Sequence, residues 1–199
     1  MSVRDSDKSN PYIPLASLAN DGYHDVEKKE ATATCFCGAV QLAFNNNQPY
    51  QPMSFTTLTH VPPTDQPTEG PGLLFSFVCH CTDCRKITAS MFTSAFAIAD
   101  THLKHLRGRE NLTQFTQKHT IASGLAMSNY FCKTCGSLMY RTGPAAPNAF
   151  LCRLGTVDDF NLVEQNLAPQ LEVYVKDRVS WCGGVQVQGV KQFDGQAGA

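Results

Sequence analysis

Three cysteines lie within six positions in the segment VCHCTDCRKITAS, residues 78–90. A disulfide needs only two thiols, and a closed structural zinc site takes four soft ligands. Cys79 and Cys81 occupy alternating positions at the end of a predicted strand, and a following turn can fold Cys84 back toward them. Three thiolates that converge on one metal ion leave its fourth position for water or substrate, which is typical of a catalytic zinc. The segment therefore predicts an open metal site.

The charge of such a site narrows its chemistry. Zinc with three thiolates carries one net negative charge, so it activates water less strongly than zinc held by three neutral imidazoles. Soft ligands suit this ion, and an incoming thiol is the natural fourth ligand. In the absence of metal the same thiolates could form a mixed disulfide with a small thiol. Arg85 and Lys86 follow Cys84 directly and could offset the negative charge or hold a carboxylate, although a solvated basic pair is an equally good interpretation.

Four further cysteines form two pairs that lie far apart in the chain. Cys35 and Cys37 belong to CFCG, and Cys132 and Cys135 belong to FCKTCGS. A C-x-x-C turn followed by glycine is typical of a zinc knuckle, because the turn aims both thiolates at one point. The C-x-C pair, Cys35 and Cys37, and the C-x-x-C pair, Cys132 and Cys135, together supply the four ligands of a closed structural site. We predict a structural zinc that joins these two segments and closes the long loop between them.

Some alternatives remain open at this stage. Each outer pair alone could be a redox dithiol, and the inner three cysteines could form a second structural zinc site that His80 or another residue completes. Of the two remaining cysteines, Cys152 alternates with apolar residues and is predicted to be buried, whereas Cys182 is predicted to be a free thiol near the surface. Arg141 and Arg153 lie near cysteine motifs and could reach a carboxylate, but a surface ion pair is the simpler interpretation for each.

Composition sets the broad class. The chain has 199 residues, 42% of them apolar, and a formal net charge of −1. These values predict one globular domain and give no reason to expect nucleic acid or an anionic membrane as a partner. The sequence has no apolar run near the roughly 18 residues of a membrane span, and its N-terminus does not resemble a secretory signal. We therefore expect a cytoplasmic protein whose nine cysteines are thiols or metal ligands rather than disulfides.

Short strands dominate the predicted secondary structure. The segment CTDCRKITAS is expected to form one short helical turn, and no long helical period is present. The class is therefore mainly β. Strands are predicted from alternating or β-branched segments bounded by turn residues, at 32–44, 73–80, 91–99, 112–117, 122–132, 137–142, 149–157 and 171–181.

The domain boundaries follow from composition. Residues 1–30 are polar and interrupted by proline, which predicts a flexible N-terminal arm. Residues 31–193 are predicted to form one zinc-binding domain, and residues 194–199 a frayed tail. Residues 45–72 are rich in proline, asparagine and glycine and predict a long surface loop.

The ordered set CFCGAV, CHCTDCRK and FCKTCGS resembles the glutathione-dependent formaldehyde-activating enzyme family, which also contains centromere protein V. LGTVDDF (154–160) and PQLEVYVKDRVSW (169–181) are similar to later segments of that family. The likeness extends over roughly residues 32–193. It implies a β-tent fold of curled antiparallel sheets, two zinc ions and glutathione as cosubstrate. The implied structural zinc ligands are Cys35, Cys37, Cys132 and Cys135, and the implied catalytic zinc ligands are Cys79, Cys81 and Cys84.

The leading functional hypothesis is a zinc-dependent carbon–sulfur lyase that joins glutathione and a small aldehyde, since the family's named reaction converts formaldehyde and glutathione to S-hydroxymethylglutathione. The catalytic candidates are Cys79, Cys81 and Cys84, and the candidates for binding glutathione are Arg85 and Lys86.

A second hypothesis keeps the metal and changes the substrate. The inner zinc would act as a Lewis acid on a larger carbonyl-containing metabolite, without glutathione, in a hydrolysis, dehydration or ring change. Departures from the family pattern favour it: Ala89 stands where glycine is usual, Asn129 and Tyr130 stand where an arginine commonly precedes the last pair, and the loop 45–72 is long.

A third hypothesis is a non-enzymatic interaction module. The intact inner cysteines and the net acidic first 30 residues weaken it. The expected partners are a small carbonyl compound and glutathione, and a homodimer is left open.

Overall fold

The structure, a computed structural model, describes residues 20–45, 72–121 and 123–197. Strands dominate these ranges, and the two α-helices in them are short. Neither helix in the described ranges is long and apolar enough to cross a membrane. The elements are β1 (His24–Asp25), β2 (Glu30–Thr34), β3 (Gln41–Asn45), β4 (Leu73–Cys79), α1 (Thr82–Thr88), β5 (Thr93–Ala99), β6 (Leu103–Arg107), β7 (Leu112–Gln117), β8 (Met127–Cys132), β9 (Leu138–Gly143), β10 (Ala146–Arg153), α2 (Phe160–Glu164), β11 (Leu171–Val173) and β12 (Lys191–Phe193).

The strands form two sheets. The smaller sheet has the order β1-β2-β3-β6 and the larger has the order β12-β11-β4-β5-β10-β9-β8-β7. Neighbouring strands of the smaller sheet are antiparallel, as are those from β4 to β7 in the larger one, while β11 pairs in parallel with both β4 and β12. The mainly-β prediction is therefore confirmed.

The core lies between the two sheets. Alternation along the strands places Phe96, Ile98 and Cys152 on one face of the larger sheet, where they meet Leu42 and Phe44 of the smaller sheet. The rings of Phe44 and Phe96 lie with their centroids 4.8 Å apart. Burying side chains of this size contributes about 1.5–3 kcal/mol each. Cys152 is fully enclosed in this core, as its apolar neighbours indicate.

The opposite face of the larger sheet forms the floor of a cleft. Cross-strand partners share a face, and the register pairs Phe77 with Ala95 and Ala95 with Arg153. One row further along, Leu151 pairs with Arg141. The same face thus carries apolar side chains and two arginines. It leads along β4 to its last residue, Cys79.

Several elements differ from the sequence-based expectations. The predicted strand 32–44 is two strands that reverse at CFCG, and the strand Leu103–Arg107 was not expected. The predicted strand 171–181 contributes only Leu171–Val173 to the sheet, because Tyr174 adopts a left-handed backbone with φ 58° and turns the chain into a short 3₁₀ helix.

The ends of the predicted domain are also described in part. His24–Asp25 pairs with β2, so the smaller sheet begins before residue 31. At the other end, the Gly195 carbonyl accepts a hydrogen bond from the Tyr174 backbone N–H. Residues 1–19, most of the predicted loop 45–72 and the last two residues of the predicted tail lie outside the described residues.

Candidate functional site

The outer four cysteines converge at the tips of two hairpins. Their sulfur atoms all lie within 4.8 Å of one another. The Sγ atoms of Cys35 and Cys37 are 3.6 Å apart, and those of Cys37 and Cys132 are 3.7 Å apart. A tetrahedron of sulfurs about 2.3 Å from a zinc ion has edges of about 3.8 Å. The four side chains, which include Cys135, therefore fit a structural zinc.

Local backbone geometry aims these sulfurs. Each pair is followed by a glycine with a left-handed backbone, Gly38 with φ 78° and Gly136 with φ 75°. The Val40 backbone N–H donates to the Cys35 sulfur at 3.2 Å, and Asn111 Nδ2 donates to the Cys132 sulfur at 3.3 Å. Burial raises the pKa of the Cys35 thiol to about 12, and the Val40 backbone N–H acts in the opposite direction.

The outer cluster joins the two sheets. Cys35 and Cys37 lie in the turn between β2 and β3 of the smaller sheet, and Cys132 and Cys135 lie in the turn between β8 and β9 of the larger one. The Phe36 backbone N–H also donates to Ser137 Oγ across this junction at 3.1 Å. A metal ion here would act as a crosslink between the sheets.

The inner three cysteines meet where β4 runs into α1. Cys79 ends β4, Cys81 is the N-cap of α1, and Cys84 lies in its first turn. Their sulfurs all lie within 4.8 Å of one another. The Cys81 sulfur accepts a hydrogen bond from the Cys84 backbone N–H at 3.4 Å, so the helix cap itself orients one sulfur. Cys79 and Cys84 are 4% and 2% exposed, whereas Cys81 is half-buried.

His80 does not complete this cluster. Its Nε2 atom pairs with Glu172 Oε1 at 2.8 Å, and both side chains are buried. Glu172, 0% exposed, also accepts hydrogen bonds from Arg178 and Gln192. Among the described residues, the group with metal-ligand geometry at this place contains the three sulfurs and no fourth side chain. The closed alternative, in which His80 completes the cluster, is therefore not supported by this arrangement.

The inner sulfurs face a cleft of about 590 Å³. Its floor is the outer face of the larger sheet, and α1 and Tyr174 form parts of its walls. The walls are largely apolar, so a ligand inside would contact mainly apolar side chains. The larger apolar lining residues include Phe75, Phe77, Met127, Leu151, Leu171 and Val173.

Two arginines lie beside the inner sulfurs. Arg141 Nη1 donates to the Cys84 sulfur at 3.6 Å, and Arg153 Nη1 donates to Thr93 Oγ1 at 2.8 Å. Hydrogen bonds with the other two thiols, followed by the charges of Arg141 and Arg153, lower the pKa of Cys84 to about 3. Hydrogen bonds with Cys81 and Cys84, together with burial, raise the pKa of Cys79.

Neither arginine forms an ion pair with a carboxylate of the described residues. The interpretation of Arg141 and Arg153 as surface ion pairs is therefore not supported. Arg153 is only 6% exposed, and burial lowers its pKa to about 10.

The other predicted site residues lie elsewhere. Arg85 donates to Thr82 Oγ1 on the same helix at 3.4 Å, Lys86 is exposed, and neither lines the cleft. Their role in binding glutathione stays a prediction. Cys182 is half-buried and belongs to neither cluster.

The sequence analysis missed the aromatic floor of the cleft. A signal for it is present, because in LLFSFVC the residues Phe75, Phe77 and Cys79 alternate and must point to one side of a strand. Tyr174 had no such signal, since its place in the cleft depends on the left-handed turn after β11.

Three comparisons with known proteins were made, and the one with protein-family models agrees with the cysteine motifs. A solved structure of a Rhodobacter sphaeroides protein, a target of the Northeast Structural Genomics programme, is similar with a TM-score of 0.38 and 20% identity, over 63% of this chain and 85% of that chain. No curated protein matches the sequence. A family model described as glutathione-dependent formaldehyde-activating enzyme matches residues 67–177, more than half of the chain, and includes the inner cysteines. The chain therefore belongs to the glutathione-dependent formaldehyde-activating enzyme family.

Proposed function

We propose that this protein is a zinc-dependent enzyme of the carbon–sulfur lyase type that joins a thiol, glutathione in the first instance, and a small aldehyde. The observation that supports this most is the inner cysteine cluster: three convergent sulfurs, largely buried, open onto a cleft. Among the described residues no side chain closes the cluster, so a substrate sulfur can approach it. The two packed sheets would then be the curled β-tent of the family.

The two clusters would hold different ions. The outer four cysteines would bind a structural zinc, and Cys79, Cys81 and Cys84 would bind a catalytic one. A zinc ion at the inner cluster would supply a Lewis acid that polarises a carbonyl oxygen and favours the thiolate form of a bound thiol. These roles are consistent with the geometry of each sulfur group.

The reaction itself needs little from the protein beyond positioning. The thiol adds across the aldehyde C=O: a carbon–sulfur bond forms, the carbonyl π bond breaks, and the thiol proton ends on the former carbonyl oxygen. No oxidant or reductant is required. The apolar walls would exclude water and hold both reactants together, so proximity would supply much of the rate. Arg141, which donates to the Cys84 sulfur, would keep that thiolate in place.

A larger carbonyl substrate is the second candidate. The cleft of about 590 Å³ is far larger than formaldehyde requires, and most of its lining is apolar. These features favour a carbonyl-containing metabolite with an apolar body, which the inner site would activate without glutathione.

The test is a measurement of thiol–aldehyde exchange with the zinc-loaded protein. Glutathione and ¹³C-formaldehyde equilibrate with S-hydroxymethylglutathione spontaneously, and NMR exchange spectroscopy gives the rate with and without protein. We expect a rate above the spontaneous one, and no acceleration by Cys81→Ser at equal concentration. If the unaltered protein does not accelerate exchange for any thiol tested, the proposal is wrong. If it transforms apolar aldehydes or ketones without a thiol, the second candidate is correct.

A further inference from the structure

We propose that Arg141 and Arg153 form an anion-recognition pair beside the inner cysteine cluster, and that it selects an anionic sulfur as the fourth ligand there. A neutral oxygen or thioether ligand would be disfavoured. The inference rests on the proposed function, because it takes Cys79, Cys81 and Cys84 to hold a divalent cation.

Strand register brings the two arginines to the same place. Arg141 on β9 pairs with Leu151 on β10, and Arg153 lies two residues further along β10. Both positions therefore face the cleft side of the sheet. Arg153 bonds to Thr93, which is itself paired with Cys79 across β4 and β5. The guanidinium groups thus lie beside two of the three cysteines.

Both guanidinium groups have donors left over. Arg141 uses Nη1 on the Cys84 sulfur, and its buried Nε has no hydrogen-bond partner among the described residues. Arg153 uses Nη1 on Thr93, while its buried Nε and Nη2 atoms are likewise without partners in the described ranges. Buried donors without partners are costly and uncommon, so the free donor of Arg141, which lines the cleft, indicates a ligand that accepts from it. Arg153 is not among the lining residues, and it adds its charge beside Thr93.

The charge balance specifies the sign of that ligand. Three thiolates, a divalent cation and two guanidinium groups leave one net positive charge in a buried place. An incoming thiolate brings the balance to zero, whereas a neutral ligand leaves a buried charge uncompensated. Asp83 and Asp177 also line the cleft, but both are partly exposed, and Asp177 pairs with Lys176 at 2.8 Å. Solvent screens them, so they do not neutralise the buried pair.

Calorimetry with matched ligands tests the proposal on the zinc-loaded protein. Glutathione is compared with S-methylglutathione, and phenylmethanethiol with its methyl thioether, which cannot supply a thiolate. We expect Arg141→Met to weaken thiol binding about tenfold and to leave thioether binding unchanged, because a hydrogen-bonded charge has been removed. Arg141→Lys should restore part of the affinity, and Arg109→Met, at an exposed arginine outside the cleft, should change neither. Equal losses for thiol and thioether, or no loss, would overturn the proposal.

A second probe separates this inference from the proposed function. Thiocyanate, a soft monovalent anion, should bind the unaltered zinc-loaded protein and bind Arg141→Met and Arg153→Met at least several-fold more weakly. Zinc content and circular dichroism show whether each variant is intact. If Arg153→Met does not fold, the binding result for Arg141→Met, a substitution on the cleft surface, decides the question. If no thiol binds but thiocyanate binds and depends on the arginines, the proposed reaction fails and the anion pair stands. If thiocyanate binding is independent of both arginines, the pair is not an anion site.

Discussion

The two cysteine clusters are built from the same ligand and differ in almost everything around it. The outer cluster has four sulfurs, lies where two hairpin tips meet and connects the two sheets. The inner cluster has three sulfurs, lies where one strand passes into a helix and faces a cleft. Backbone and amide donors contact the outer sulfurs, whereas the inner sulfurs have guanidinium groups beside them in addition to a backbone donor.

This difference shows how one kind of ligand can serve structure or chemistry. Ligands from two distant hairpins make an ion a crosslink, so the outer site should govern folding. Ligands from one short segment, residues 79–84, connect nothing distant, so their loss should leave the sheets in place. The charged surroundings of the inner site then become available for recognising a ligand rather than for holding the fold.

The largest expected effect comes from the outer cluster. Cys132→Ser removes one of four ligands from the link between the sheets, and structural zinc sites contribute on the order of 10–16 kcal/mol of binding free energy. We expect loss of one zinc ion and loss of cooperative unfolding, measured by elemental analysis and thermal circular dichroism. Cys182→Ser, outside both clusters, is the control and should change neither. A Cys132→Ser variant that still folds would contradict the distinction between an outer cluster that governs folding and an inner cluster that does not.

Cys81→Ser makes the matching change in the inner cluster. We expect loss of one zinc ion and an activity loss greater than the roughly 10–100-fold that removal of a supporting residue causes. The thermal unfolding midpoint should stay close to that of the unaltered protein, because the residue is half-buried and links no distant elements. Unfolding of this variant would show that the inner site is structural too.

Glu172→Ala tests the scaffold behind the inner cluster. Glu172 on β11 links His80, the residue that follows β4, to Gln192 on β12. Leaving His80 and Arg178 without their buried partner should cost about 3–5 kcal/mol in denaturant unfolding. Burial raises the pKa of Glu172, but hydrogen bonds from His80 and Arg178 outweigh burial, so the pKa is lowered overall. The stabilisation by the Glu172 carboxylate is therefore fully present above the pKa that Glu172 has in the unfolded chain. It is lost as the pH falls through the pKa that Glu172 has in the folded protein. Glu172→Gln should retain part of the stability, and an unchanged midpoint for Glu172→Ala would refute this role.

The smallest expected effect lies near the outer cluster. Asp158 accepts hydrogen bonds from Thr32 and Thr34 at 2.6 Å each, and burial raises its pKa above the usual 3.8. Because the folded protein holds this proton more tightly, stability falls as the pH rises from 3.8 through the folded pKa. Asp158→Asn should remove that dependence and change the unfolding free energy at neutral pH by no more than about 1 kcal/mol. A larger loss would mean that polar contacts, rather than the cysteines, hold the sheets together here.

Local patterns explain what the sequence could predict. Cysteines two or three positions apart, such as Cys35 and Cys37, meet in space whatever the rest of the chain does, so both clusters could be identified from spacing. The joining of the two distant outer pairs was predicted from the four ligands that a closed zinc site needs, whereas the exclusion of His80 required its buried partner Glu172.

Features that depend on register or on tertiary context were not accessible. Arg141 and Arg153 lie on neighbouring strands, and only the pairing of β9 with β10 brings them to the same side as Cys84. The turn at Tyr174 uses a left-handed backbone that non-glycine residues rarely adopt, so propensity predicted a continuing strand. Leu103–Arg107 is a partly exposed edge strand of mixed composition, which weakens its alternation.

The central claim is that the inner metal is open to a sulfur from outside the protein. Zinc X-ray absorption spectroscopy of the protein with two bound zinc ions tests it directly, before and after addition of a thiol. With four cysteines on one zinc ion and three on the other, the average is about 3.5 sulfur ligands per zinc. This average should rise to about 4 when the thiol binds to the inner ion. An average of about 4 without thiol, or no change when thiol is added, would contradict the account.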